Sequence, residues 1–140
     1  PSHQYPLVIP MNLPRRLEFF EWAQVADAFI LEDDYDSKFR YSDRPLAALQ
    51  VLDEEERVIY IGTMSKVMFP GLQFGYMVVP DDLVDAIKVV RILNDTHPSS
   101  IAEAALADFI TGNSLSAHLR CLRSLYKEWQ TSLINLYWPI

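Results

Sequence analysis

The apolar positions change period along the chain, and those changes divide it into elements. Residues 1–12 hold three prolines and no sustained period, which predicts a loop. Leu13, Leu17, Phe19, Phe20, Ala23 and Ala26 then recur at three- and four-residue steps. That spacing predicts a helix which Asn12 can cap and in which Pro14 sits where a missing N–H costs little. Ala28-Phe29-Ile30-Leu31 is a short apolar run of the kind that forms a buried strand, and it ends in Glu32-Asp33-Asp34-Tyr35-Asp36. Residues 37–52 have a mixed pattern expected to be an irregular crossing, and residues 53–56 an acidic turn.

A second strand is expected over 57–61, a turn over 67–71 and a third strand over 73–79, ended by Pro80. The connection between these two strands is too short for a crossover helix, so the third should be antiparallel to the second or not adjacent to it. Three helices follow. The first starts at Asp81 or Asp82 and passes through Leu93, the second runs from Ser99 or Ser100 to Ile110 with Gly112 as its stop, and the third begins after Asn113 or Ser114. In the last, Leu115, Leu119, Leu122, Leu125, Tyr126, Trp129, Leu133 and Leu136 make an apolar stripe. Strands first and helices later predict an α/β domain.

Composition narrows the function. The 140 residues, half of them hydrophobic, suffice for one domain with a core. Net charge is -7 and no basic cluster occurs, which argues against nucleic-acid binding by these residues. One cysteine, Cys121, allows no internal disulfide and fits a reducing, cytoplasmic compartment; its place on the apolar stripe makes it a core candidate. No apolar run approaches a bilayer span, and the start has no signal-peptide layout. It also has no initiator methionine, and both ends are abrupt, so a fragment of a longer protein is expected. His3, His97 and His118 lack ligand spacing, and no metal site is expected from them.

The chemistry gathers at two strand ends. In Ile59-Tyr60-Ile61-Gly62-Thr63-Met64-Ser65-Lys66, a run of β-formers stops at a glycine and is followed by two hydroxyls and an amine. At the end of the first strand, Asp33 and Tyr35 are two apart and share a face if the strand extends that far. An amine, a carboxylate and a phenol converging on one pocket suit pyridoxal phosphate. If Lys66 reaches that pocket, its amine would form a Schiff base, Asp33 would keep the pyridine nitrogen protonated and Tyr35 would tune the ring oxygen, while Thr63 and Ser65 would meet the phosphate. Taken singly the signals are bland, since a lysine after a strand is usually solvated and acids at a strand end usually cap or turn. Asp34-x-Asp36 also suggests a magnesium-dependent phosphotransferase, although Glu32 and Asp33 stand where that pattern expects apolar residues.

Pro1-Ser2-His3-Gln4-Tyr5-Pro6, Arg15-Arg16-Leu17, residues 32–41, Pro45-Leu46-Ala47-Ala48-Leu49-Gln50 and Gly62-Thr63-Met64-Ser65-Lys66, in this order, resemble the aminotransferase-like domain of MocR-type regulators of the GntR family. The resemblance covers about residues 1–112. It implies part of the large domain of the fold-type I, aspartate aminotransferase-like fold, with residues 113–140 a long amphipathic helix leading toward a C-terminal domain. It implies pyridoxal 5'-phosphate as cofactor, Lys66 as its Schiff-base lysine, Asp33 and Tyr35 as ring partners, and His3 and Gln4 in a loop approaching the ring. Its expected partners are an amino acid or amine ligand, DNA through a winged helix-turn-helix absent from this chain, and a second subunit in a homodimer of the parent.

Two substitutions depart from the family pattern. Gln73 stands where an arginine that contacts the phosphate is usual, which removes a charge-assisted contact, and Val8 stands where a turn glycine is usual. With half of such a site missing, the chain alone is expected to be inactive. A free-standing aminotransferase is the alternative to a regulator, because both use the same lysine, aspartate and tyrosine.

Overall fold

The computed structural model describes residues 9–35, 47–68, 70–95, 97 and 99–137, which fall into two compact units divided after His97. The expectations placed on residues 1–8, on residues 36–46 and on His3, Gln4, Val8 and Asp36 lie outside the described residues.

In the first unit, helix α1 spans Leu13–Val25. Its start is the predicted one: Asn12 Oδ1 accepts the Arg15 N–H at 3.0 Å and Pro14 lies in the first turn. Strand β1, Ile30–Asp34, begins two residues later than the apolar run and carries the first acids inside the strand. The one-turn helix α2, Leu49–Leu52, occupies part of the expected irregular crossing. Strand β2 spans Val58–Thr63 and strand β3 Gly75–Val78, joined through a 3₁₀ turn at Pro70–Leu72. Helix α3, Asp81–Asp95, closes the unit.

The sheet order is β1-β2-β3, with β1 and β2 parallel and β2 and β3 antiparallel, one of the two arrangements that the short connection allowed. Register pairs Ile30 with Val58, Glu32 with Tyr60 and Asp34 with Gly62 on one face, and Leu31 with Ile59 and Asp33 with Ile61 on the other. On the first face Ile30 and Val58 pack with Ala23 of α1 and Leu49 of α2 into a small core, flanked by Phe19 and Phe20. Leu31 and Met77, on the second face, remain exposed.

Two buried charges organise this core. Arg16, 3% exposed, donates from Nε to Met11 O at 2.9 Å and from Nη1 to Ala47 O, so it bridges the entry of α1 to the entry of α2. Glu32, also 3% exposed, accepts the N–H groups of Leu49 at 2.9 Å and Gln50 at 3.1 Å. Ala48, at the cap position, makes no side-chain bond, so a carboxylate from the neighbouring strand supplies the helix cap. That contact explains why a helix forms where the sequence pattern is mixed.

In the second unit, α4 spans Ser100–Thr111 and α5 spans Ser114–Tyr137. Gly112 caps the end of α4, as expected, with φ -74, and the left-handed residue between the helices is Asn113, with φ 59. The ring of Phe109 meets that of His118 edge-on at 5.8 Å. Cys121, expected in a core, is exposed on α5.

Candidate functional site

The C-terminal ends of β1 and β2 lie side by side because the strands are parallel, and this brings Tyr35 and Lys66 together. Lys66 Nζ sits 4.3 Å from the centre of the Tyr35 ring, a cation–π distance. Tyr35, one residue past β1, is 46% exposed. Asp33 is exposed on the face of the sheet opposite Glu32 and Asp34, and no described residue pairs with its carboxylate.

The acidic run therefore has three different fates within three residues. Glu32 caps α2, Asp34 accepts a hydrogen bond from the Tyr60 hydroxyl, and Asp33 has no partner among the described residues. Asp34 is the carboxylate that the phosphotransferase pattern needs, and Tyr60 already engages it. Among the described residues no group of three acids, histidines or cysteines is placed to hold a metal ion.

The loop after β2 is built on Thr63. Its Oγ1 accepts the Ser65 N–H at 3.1 Å and donates to Phe74 O at 3.2 Å, while the Met64 N–H reaches the same carbonyl at 2.8 Å. Thr63 is thus committed to shaping the turn, and Ser65 keeps the hydroxyl with no partner among the described residues. Gln73, where the arginine was expected, is exposed and takes φ 51, a left-handed backbone. No described arginine stands in this loop.

Tyr60 and Tyr76 were not anticipated from the sequence. They stand on neighbouring strands with ring centres 6.1 Å apart, and burial, then the hydrogen bond to Asp34, push the Tyr60 phenol well above its ordinary value of 10.0. A phenol that stays protonated in the fold but ionises at its ordinary value when unfolded contributes stability that is full below that value and falls as pH rises beyond it. Thermal melts between about pH 8 and 11 should show this fall, and Tyr60→Phe should flatten it.

A cleft of about 280 Å³ lies elsewhere, at the opposite end of β2, lined by Gln50, Asp53, Glu56, Val58, Val78 and Asp81 among others. Its Asp53 accepts the Arg57 and Val58 N–H groups at 2.7 and 2.6 Å and so shapes the entry to β2. None of the predicted site residues among the described ones lines it.

No protein-family model matches the chain. It is 44% identical over 138 residues to the probable rhizopine catabolism regulatory protein MocR of Rhizobium meliloti, a match covering 97% of this chain and 28% of that protein. It is 42% identical to YhdI, an uncharacterized HTH-type transcriptional regulator of Bacillus subtilis, over 96% of this chain and 29% of that one. The chain is a relative of the MocR-type regulators. Kynurenine aminotransferase of Pyrococcus horikoshii superposes on this MocR relative with a TM-score of 0.89 at 30% identity, over 96% of this chain and 33% of that one. Its fold is accordingly that of the fold-type I, aspartate aminotransferase-like proteins, with a helical C-terminal portion. The chain spans less than a third of the length of the curated regulators it matches.

Proposed function

We propose that these residues are one part of a pyridoxal 5'-phosphate site in the aminotransferase-like domain of a MocR-type transcriptional regulator, which senses an amino acid or amine through the cofactor. The observation that carries this is the meeting of the Lys66 amine with Tyr35, next to a strand whose Asp33 carboxylate is exposed and unpaired among the described residues. The regulators named above are 44% and 42% identical to the chain, the aminotransferase 30%, which favours the regulator.

The donor set fits the cofactor. When bound, pyridoxal phosphate supplies an aldehyde that condenses with primary amines and a ring that accepts electrons. Lys66 would present the amine to the aldehyde and carry protons at Nζ. Asp33 would hold the proton on the pyridine nitrogen, Tyr35 would donate to the ring oxygen, and Ser65 would meet the phosphate. Gln73 offers the phosphate no charge, so affinity should be lower than with an arginine there. His3 and Gln4 complete the proposed set.

DNA contact belongs, in this proposal, to a domain outside the chain, since net charge is -7 and no basic cluster is present. Among the described residues no helix is long and apolar enough to cross a membrane. We propose a cytoplasmic protein, dimeric at full length, in which residues 113–140 lead from the cofactor domain toward a further domain. A free-standing aminotransferase is the second candidate, favoured by the TM-score of 0.89 to such an enzyme. A basic winged helix-turn-helix in the coding sequence before Pro1 would decide for the regulator.

The test of the site is direct. Full-length protein titrated with pyridoxal phosphate should develop a visible absorption band that Lys66→Ala abolishes. A band that survives Lys66→Ala, or no band in the unaltered protein, defeats the assignment.

A further inference from the structure

Three side chains from three strands meet on the covered face of the sheet, behind the candidate site. Asp34 of β1 accepts the hydroxyl of Tyr60 of β2, and Tyr76 of β3 lies against Tyr60 with ring centres 6.1 Å apart. Gly62 stands between them in register, opposite Asp34 on one side and Tyr76 on the other. A Cβ added at Gly62 would come within 2.3 Å of Tyr76 Cζ, so the Tyr76 ring occupies the space that a side chain at Gly62 would fill. The glycine in Ile61-Gly62-Thr63 is therefore required by a ring crossing over it, with no positive φ involved.

This cluster matters for the residue before Asp34 and the one after it. Successive side chains along an extended strand point to opposite faces, so a strand end whose Asp34 is anchored on one face must present Asp33 on the other. An O–H···O⁻ hydrogen bond is among the stronger anchors available to a strand terminus. We infer that the Tyr60–Asp34 hydrogen bond is the positioning device of the site: it fixes the roll of the end of β1, so that Asp33 and Tyr35 face the ligand side and Tyr35 meets Lys66. Asp34 and Tyr60 are positioning residues in this scheme, and Tyr76, seated over Gly62, closes the cluster from the third strand. The inference rests on the cofactor site proposed above, which it supplies with a reason for the second aspartate in Glu32-Asp33-Asp34-Tyr35.

The experiment reads the Lys66–Tyr35 contact without any cofactor. Full-length protein is treated with limiting acetic anhydride, and acetylation of Lys66 is followed by mass spectrometry relative to Lys88, which is exposed on α3. Tyr35→Leu, which removes the ring under the ammonium, should raise the Lys66 rate about 2- to 5-fold, the factor expected for an exposed cation–π contact. Tyr60→Phe and Asp34→Ala should raise it to the same level, because they release the end of β1. Asp34→Asn, whose amide oxygen still accepts the Tyr60 hydroxyl, should restore the unaltered rate. Tyr60→Phe removes one oxygen and keeps the ring, so its fold is retained even if Asp34→Ala unfolds.

Failure of the inference differs from failure of the cofactor assignment. A Tyr60→Phe protein that acetylates at the unaltered rate while Tyr35→Leu is accelerated overturns the positioning role. So does a Tyr35→Leu protein with no acceleration. If pyridoxal phosphate gives no visible band in the unaltered protein, yet the acetylation pattern holds, the cofactor assignment falls and the positioning of Tyr35 by Tyr60 and Asp34 stands.

Discussion

Replacing Glu32 with alanine is expected to destabilise the fold more than any other single acidic substitution in the chain. Its two oxygens accept the N–H groups of Leu49 and Gln50 in a position where the side chain is 3% exposed, so water has little access to replace them. Each orphaned N–H should cost about 1–3 kcal/mol, and α2 loses the cap that Glu32 supplies. Glutamine is a poor rescue, since its amide nitrogen would face an N–H donor where the carboxylate presents a second acceptor. Urea denaturation of the alanine and glutamine variants measures both losses. An alanine variant within about 0.5 kcal/mol of the parent would mean that the cap is not needed.

The second large effect is on ligand binding rather than on folding. Asp33→Ala should weaken pyridoxal phosphate binding by full-length protein about 10- to 100-fold, the range expected for a charge-assisted hydrogen bond to the pyridinium. Its melting temperature should be unchanged, because the Asp33 side chain is exposed and no described residue bonds to its carboxylate. Asp34→Ala should differ from it in lowering stability as well as binding, through the loss of the Tyr60 contact that holds the end of β1. The pair of variants therefore separates two adjacent aspartates by measurement, with absorbance titration and thermal melting as the readouts. Equal loss of binding without loss of stability in both would overturn the division of labour.

Much of this was legible in the chain itself. Asn12 and Pro14 mark the start of α1 through local chemistry, and the short connection between β2 and β3 excludes a parallel pair by reach alone. Asp33, Tyr35 and Lys66 could be singled out by residue type at two strand ends, although β1 ends at Asp34, so strand parity does not reach Tyr35. What escaped depended on register between strands far apart in sequence. Nothing local in Glu32 says that it will lie beside Leu49 and Gln50, and nothing in Tyr60 says that Asp34 will sit within reach of its hydroxyl. The same holds for Arg16, whose buried guanidinium finds carbonyls at Met11 and Ala47. Thr63 was legible as a hydroxyl near the site, but its turn-shaping bond to Phe74 requires the whole loop to be closed.

The strand arrangement also sets an order of assembly. β2 and β3 pair across residues 64–74, whereas β1 must find β2 from the far side of residues 35–57. Closing the shorter loop costs less entropy, and local pairings form before distant ones. Lys66 lies inside the early loop, while Asp33 and Tyr35 arrive with the late strand. During folding the amine should therefore be in place before the carboxylate and phenol, and the proposed site would be complete only when the parallel pair closes.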